Sequence, residues 1–269
     1  MFTGMRFILY SFILIFVFSC SEYQKALKSE DIKVKYDLAE KLYKEGDYKR
    51  ANRLFEQILP NYRGKPQGER VIFFYADSYY HTKDYYLAAY QFERFYKSYP
   101  TSEKAEEAAF LEAKSYYYIS PKYSVDQTDT HKAIEKLQVF INNYPDSSYL
   151  PQANDMVKEL RNKLEKKAFE IARQYNTLQD YTSAIEALDN FISDYPGTPY
   201  REEALFYKLD SAYKLAVNSV AAKQEERLIS ARSAYDTLKR YYPQSPYMEE
   251  AGRMLVSIEE TLKKINTVN

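Results

Sequence analysis

Small and aromatic residues recur along the chain at offsets that only a helix gathers onto one side. Ala88, Phe92, Phe95 and Tyr99 are separated by four, three and four positions. The same spacing returns in Ala133, Leu137, Phe140 and Tyr144, in Ala184, Leu188, Phe191 and Tyr195, and in Ala231, Tyr235, Leu238 and Tyr242. At 3.6 residues per turn each set is the apolar stripe of an amphipathic helix. Ala51, Phe55, Ile58 and Tyr62 form a fifth, degenerate copy. Four of the tyrosines are followed by proline (Pro100, Pro145, Pro196, Pro243), which ends a helix by disfavouring α geometry in the residue before it; the fifth is followed by Arg63. Two residues after each proline stands a hydroxyl, Ser102, Ser147, Thr198 or Ser245, of the kind that accepts from free N–H groups and starts a helix. Pro199 and Pro246 are then expected at the first helical position. Ala108, Ala153, Ala204 and Ala251 follow eight residues past each proline, where a small side chain lets two helices approach closely.

A second helix lies upstream of each stripe, marked by Leu38, Ala39 and Leu42, by Tyr75, Ala76 and Tyr79, and by Ile171, Ala172 and Tyr175. Short turns, "KEGDY", "HTKDY" and "TLQDY", join these helices to the stripes that follow them. From Ser147 to about Tyr175 one long helix closes one unit and opens the next. Two inserts, "SPKYSVDQTDT" near 120–130 and "VNSVAAKQEE" near 217–226, interrupt the spacing. This helix-turn-helix unit, with small residues where its helices cross and a proline after the second, resembles the tetratricopeptide repeat. The expected fold is all-α: a right-handed superhelical solenoid of about five repeats, approximately 33–66, 67–101, 102–146, 147–197 and 198–269. The last includes a capping helix, and no second domain is expected.

The N-terminus has a different pattern. Arg6 leads an almost unbroken apolar run from Phe7 to Phe18, followed by the small residue Ser19 and then by Cys20, the only cysteine in the chain. A basic start, an apolar middle and a small residue at the cut describe a secretory signal over 1–19. As a helix the run would span ~18 Å against a hydrocarbon core of ~30 Å, too short to anchor by crossing. One thiol in an exported chain makes no internal disulfide. "VFSC" resembles the lipobox of bacterial lipoproteins, with Val17 at the usual Leu position and a bulky Phe18. The resemblance implies that Cys20 is acylated, that residues 20–32 are a lipidated tether, and, since no Asp follows Cys20, that the destination is the outer membrane.

Charge steers toward nothing in particular. Lys and Arg number 38 and Asp and Glu 38, so nucleic acid and anionic bilayers are not drawn to the chain by its net field. The two histidines, His81 and His131, fall in different units with no second cysteine to join them, which argues against zinc. "GKPQGER" (64–70) lacks the spacing of a phosphate loop and reads as a turn. No catalysis, cofactor or metal is expected.

The aromatic content stands out: 30 Tyr and 15 Phe, without Trp. If Ala39, Ala76 and Ala113 are equivalent crossings, residues three before and four after each share a side of the helix. These are Tyr36 and Tyr43, Phe73 and Tyr80, and Phe110 and Tyr117, fringed by Arg70, Asp77 and His81. Such a ladder suits a peptide carrying its own aromatic anchors, or it packs between neighbouring first helices.

A signal and lipobox cysteine, five such repeats, the insert "DQTDTHKA" after "SYYYIS", and the Tyr-Pro-x-Ser junctions together resemble the BamD-type lipoproteins of the outer-membrane β-barrel assembly machinery. The likeness covers nearly the whole mature chain. It implies a lipid-anchored scaffold on the periplasmic face whose N-terminal units receive unfolded outer membrane proteins through an aromatic-rich signal. Its C-terminal units would dock on a POTRA domain of the barrel-forming insertase, with Arg240 a candidate for an ion pair there and other assembly lipoproteins as companions. Alternatives are a repeat scaffold for division, pilus or cell-wall assembly, and a glycan-binding lipoprotein. Cys20→Ala protein is expected to take up no radiolabelled palmitate and to leave the membrane fraction, both read after cell fractionation.

Overall fold

The computed structural model describes residues 22–62 and 64–268; the signal segment, Cys20 and Arg63 lie outside them. Twelve helices and no strand occur among the described residues. They are α1 (22–28), α2 (Ile32–Lys44), α3 (Tyr48–Tyr62), α4 (Gly68–His81), α5 (Tyr85–Ser98), α6 (Ala105–Ile119), α7 (Thr128–Asn143), α8 (Leu150–Thr177), α9 (Tyr181–Asp194), α10 (Arg201–Val217), α11 (Ala221–Tyr241) and α12 (Met248–Val268). Helices α2 to α11 form five consecutive hairpins of the tetratricopeptide kind, and α12 packs on the last. The packing sorts into two compact units. One contains residues up to Pro121 together with Gln127–Val157; the other contains Lys122–Asp126 and everything from Lys158 onward.

The crossing alanines are fully enclosed. Ala39, Ala51, Ala76, Ala88, Ala108, Ala113, Ala133, Ala153, Ala184, Ala204, Ala231 and Ala251 each have 0% exposure. A methyl group at these points lets the backbones close up, and the large residues of the stripe fill the space on either side. In the first unit Phe92 and Phe95 of α5 meet Ala76 and Phe73 of α4 and Ala108 of α6. In the second, Leu188 and Phe191 of α9 meet Phe169 and Ala172 of α8 and Ala204 of α10.

Two turns repeat almost atom for atom. At each Tyr-Pro junction the tyrosine (Tyr99, Tyr144, Tyr195, Tyr242) caps its helix with ψ of 64°, 65°, 66° and 65°, outside the α region that a following proline disfavours. Its N–H donates to the carbonyl four residues back, and its own carbonyl accepts from the Ser or Thr N–H at 3.1 Å in all four. The hydroxyl then accepts from the N–H two residues on, at 3.0–3.3 Å. Pro199 and Pro246 lie in this turn, two residues before α10 and α12, rather than at the first helical position, because the hydroxyl closes a short turn before the α-helix begins.

The turn inside a hairpin is equally fixed. Gly46, Lys83 and Gln179 adopt φ of 81°, 64° and 63° at equivalent places. The aspartate that follows each (Asp47, Asp84, Asp180) accepts at its carboxylate from an N–H of the next helix. The two inserts differ from each other. Residues 120–127 are non-helical, and Lys122–Asp126 is held to α8 by Lys167, whose Nζ donates to the Val125 carbonyl, and by the Lys166 ammonium over the Tyr123 ring. The second insert is largely helix: Ala221–Glu226, good helix formers, prolong α11 to 21 residues and leave a loop of only 218–220.

The expected tether is also partly folded. Helix α1 packs Ala26, 2% exposed, against Leu38 and Leu42 of α2, since Tyr23, Ala26 and Leu27 continue the apolar pattern backward at helical spacing.

Left-handed backbone at a residue with a Cβ costs about 1 kcal/mol. Lys83→Gly and Gln179→Gly are therefore expected to raise stability by about 0.5–1 kcal/mol each. Phe92→Ala should lower it by about 3–5 kcal/mol. Chemical denaturation of the purified chain checks all three.

Candidate functional site

The ladder residues do not form one surface. Phe73 and Phe110, 6% and 2% exposed, belong to the core. Phe73 lies edge-on to Phe92 and Phe95, with centroids 5.9 and 5.3 Å away, and Phe110 stacks on Tyr149 at 4.4 Å. The reason is angular: at about 100° per residue, positions three before and four after a crossing alanine lie only about 60° and 40° from it, on the flank of the buried face. The residues four after each crossing emerge because the helix ends there.

Tyr43, Asp77 and His81 are brought together. The Tyr43 hydroxyl donates to Asp77 Oδ2, joining α2 to α4, and its ring stacks on Phe74 at 4.2 Å. His81 Nε2 is 3.3 Å from the same carboxylate oxygen, and its ring stacks on Tyr48 at 4.1 Å and 9°. Burial pushes the Asp77 carboxyl above its ordinary range, against the opposing pull of the Tyr43 hydroxyl, His81 and Lys104; Glu107 adds to the rise. Burial and the bond to Asp77 hold the Tyr43 phenol far above its usual value. Arg70 and Tyr36 sit apart from this group. The Arg70 guanidinium pairs with Glu40 and covers the Phe74 ring, while Tyr36 is half-buried beside Tyr62.

Beyond His81 the rings continue along the hairpin edges. Tyr80 touches His81, Tyr85 and Tyr118; Tyr85 stacks on Tyr118 at 4.8 Å; Tyr117 meets Tyr118 edge-on at 5.5 Å. Tyr118 is 46% exposed and Tyr86 59%, its hydroxyl donating to Asp129 at 2.7 Å. Sequence reasoning missed Tyr85, Tyr86 and Tyr118. The tyrosines opening the second helix in "HTKDYY" and closing the first in "SYYY" were the available signal. The result is a tyrosine patch at the ends of α4 and α6 and the start of α5.

A second polar group was also missed. Lys136 of α7 reaches 2.6 Å from Glu112 of α6 and 3.2 Å from Glu93 of α5, and the Tyr96 hydroxyl donates to Glu112 at 2.8 Å. Burial pushes the Glu112 carboxyl upward. Arg240 is exposed at the C-terminal end of α11, in the other unit. His81 and His131 are both exposed, and no group of three metal-ligating side chains occurs among the described residues.

The described residues are helical hairpins of the tetratricopeptide kind with an exposed tyrosine patch, and none of their helices is long and apolar enough to cross a membrane. The profile of the YfiO family, described as an outer membrane lipoprotein, matches residues 28–228 and, in a second overlapping match, 175–267. The chain belongs to this family, which makes it a tetratricopeptide-type lipoprotein of the cell envelope. No curated protein matches it. Among solved structures it is similar to MamA (15% identity, TM-score 0.32), covering 80% of this chain and 95% of that one. It is also similar to a putative kinesin light chain with TPR-like repeats from Podospora anserina (15%, 0.33), covering 79% and 100%.

Because the fold raises the Asp77 pKa, the folded state holds that proton more tightly than the unfolded chain. This contribution to stability is complete below about pH 4 and is lost as pH rises through the folded value. Asp77→Asn removes it, so the stability of the variant relative to wild type is expected to increase from pH 4 to pH 7, as measured by urea unfolding at each pH.

Proposed function

We propose that this lipoprotein is a scaffold of the β-barrel assembly machinery, held at the periplasmic face of the outer membrane through acylated Cys20. Its first unit receives unfolded outer membrane protein segments, and its C-terminal hairpins dock on a POTRA domain of the barrel-forming insertase, with Arg240 at that contact and other assembly lipoproteins alongside. The observation that supports this reading most directly is the tyrosine patch of Tyr80, Tyr85, Tyr117 and Tyr118, within a chain of the outer membrane lipoprotein family. Tyrosine faces provide large contact area at small entropic cost and leave a hydroxyl for the backbone of an extended chain.

The patch needs no energy source of its own. A client held by a few aromatic contacts is released when burial of its strands in lipid outweighs them. Of the aromatic ladder, Tyr80 and Tyr117 belong to the patch and Tyr43 lies next to it, beside the fringe residue His81; Phe73 and Phe110 are enclosed in the core.

A photo-reactive residue at position 118 is expected to crosslink to unfolded barrel precursors, and one at Val139 of α7 much less. Tyr85→Ser with Tyr118→Ser should weaken precursor binding about tenfold, equivalent to ~1.4 kcal/mol. Adducts formed only with folded proteins or oligosaccharides would refute the assignment, as would unchanged barrel levels after depletion of the protein.

A further inference from the structure

A cleft of about 510 Å³ opens between α1 and α2, within the first unit. Its floor is apolar: Ala26, Leu38 and Val34, the last 45% exposed. Its rim carries both signs of charge, Lys25 and Lys41 against Glu22 and Asp37. These charges are loosely committed. Lys41 stands 3.5 Å from Glu22 and Asp37 3.9 Å from Lys33, all four well exposed, and ion pairs of this kind contribute little in water.

What covers the cleft follows from chain length. The family is one of lipoproteins, and Cys20 is the only cysteine available for acylation. One residue, Ser21, separates it in the chain from Glu22, the first of the described residues of α1. Two Cα steps reach no further than ~7 Å, and each headgroup layer of a bilayer is about 5–8 Å deep. With α1 packed into the core through Ala26, an acylated Cys20 would keep the start of α1 and the adjoining end of the first hairpin within reach of the leaflet that holds the acyl chains.

We propose that the α1–α2 cleft seats a phosphatidylethanolamine headgroup of that leaflet. Lys25 and Lys41 meet the phosphate, Glu22 and Asp37 receive the ammonium N–H groups, and Val34 and Leu38 meet the glycerol and upper acyl carbons. Balanced rim charge fits a zwitterion better than an anionic lipid. The seat fixes the orientation of the first hairpin on the membrane. It rests on the lipid-anchor part of the reading above and not on client binding.

The acylated full-length protein supplies the test, since any introduced cysteine is its only free thiol. Val34→Cys and, as a control on α7, Lys132→Cys are labelled with a fluorophore and reconstituted into phosphatidylethanolamine vesicles carrying a headgroup-attached quencher. Quenching at 34 is expected to exceed that at 132 severalfold. It should fall in phosphatidylcholine vesicles, whose ammonium has no N–H to donate, and with Lys25→Glu plus Lys41→Glu, while flotation with the vesicles is unchanged. Equal quenching at both positions, or quenching at 34 indifferent to lipid and to the charge reversals, overturns the seat while leaving the anchor intact. Failure of the acylated protein to float overturns both.

Discussion

The close approach of paired helices at a single methyl group governs this structure. Twelve alanines of the paired helices have no solvent exposure, and a methyl group at such a point lets two backbones approach closely. A larger side chain there would hold the helices apart, and the stripes of Phe, Leu and Tyr would no longer meet. A smaller one would leave the crossing loose and its backbone less restrained. The repeat therefore has two coupled requirements, a methyl at the crossing and bulk one and two turns further along the same stripe. Ala88 followed by Phe92 and Phe95, and Ala184 followed by Leu188 and Phe191, satisfy both.

Buried polar joints add specificity to this apolar scheme. Tyr43 donates to Asp77, and Asn176 donates to Asp210, each across 34 residues and each linking one first helix to the next within its own unit. Ser78, Ser115 and Ser211, all fully buried, return their hydroxyls to the carbonyl four residues back and so leave no donor unsatisfied. Such pairs add little net stability, but a shift of register would strand a carboxylate in the core. They make the stacking of hairpins definite where interchangeable alanines and phenylalanines alone would tolerate slippage.

The same geometry explains where exposed aromatic surface arises. A stripe residue is surrounded by the partner helices along most of its length and becomes accessible only where a helix runs out. Tyr80, Tyr85, Tyr117 and Tyr118 cluster at such ends, and the loop chemistry that terminates the helices also sets the spacing of the rings. At the other end of the first unit, α1 extends the packed core back to Tyr23.

Much of this was legible in the linear sequence, because its causes are local. Helix periodicity, the Tyr-Pro stop, the hydroxyl that follows and the aspartate after each inner turn act within a few residues of one another, so the five hairpins and their crossing alanines can be read directly. Side-chain direction beyond the crossing could not. The sequence places Phe73 and Tyr80 on one stripe, and only the neighbouring helices decide that one ring is enclosed by Phe92 and Phe95 while the other reaches an edge. The Lys136–Glu112–Glu93 group draws on three helices, and the helicity of 22–28 depends on the core that receives Ala26. Periodicity along one helix defines a face; what that face meets is a property of partners distant in the chain, and for this only the tertiary structure suffices.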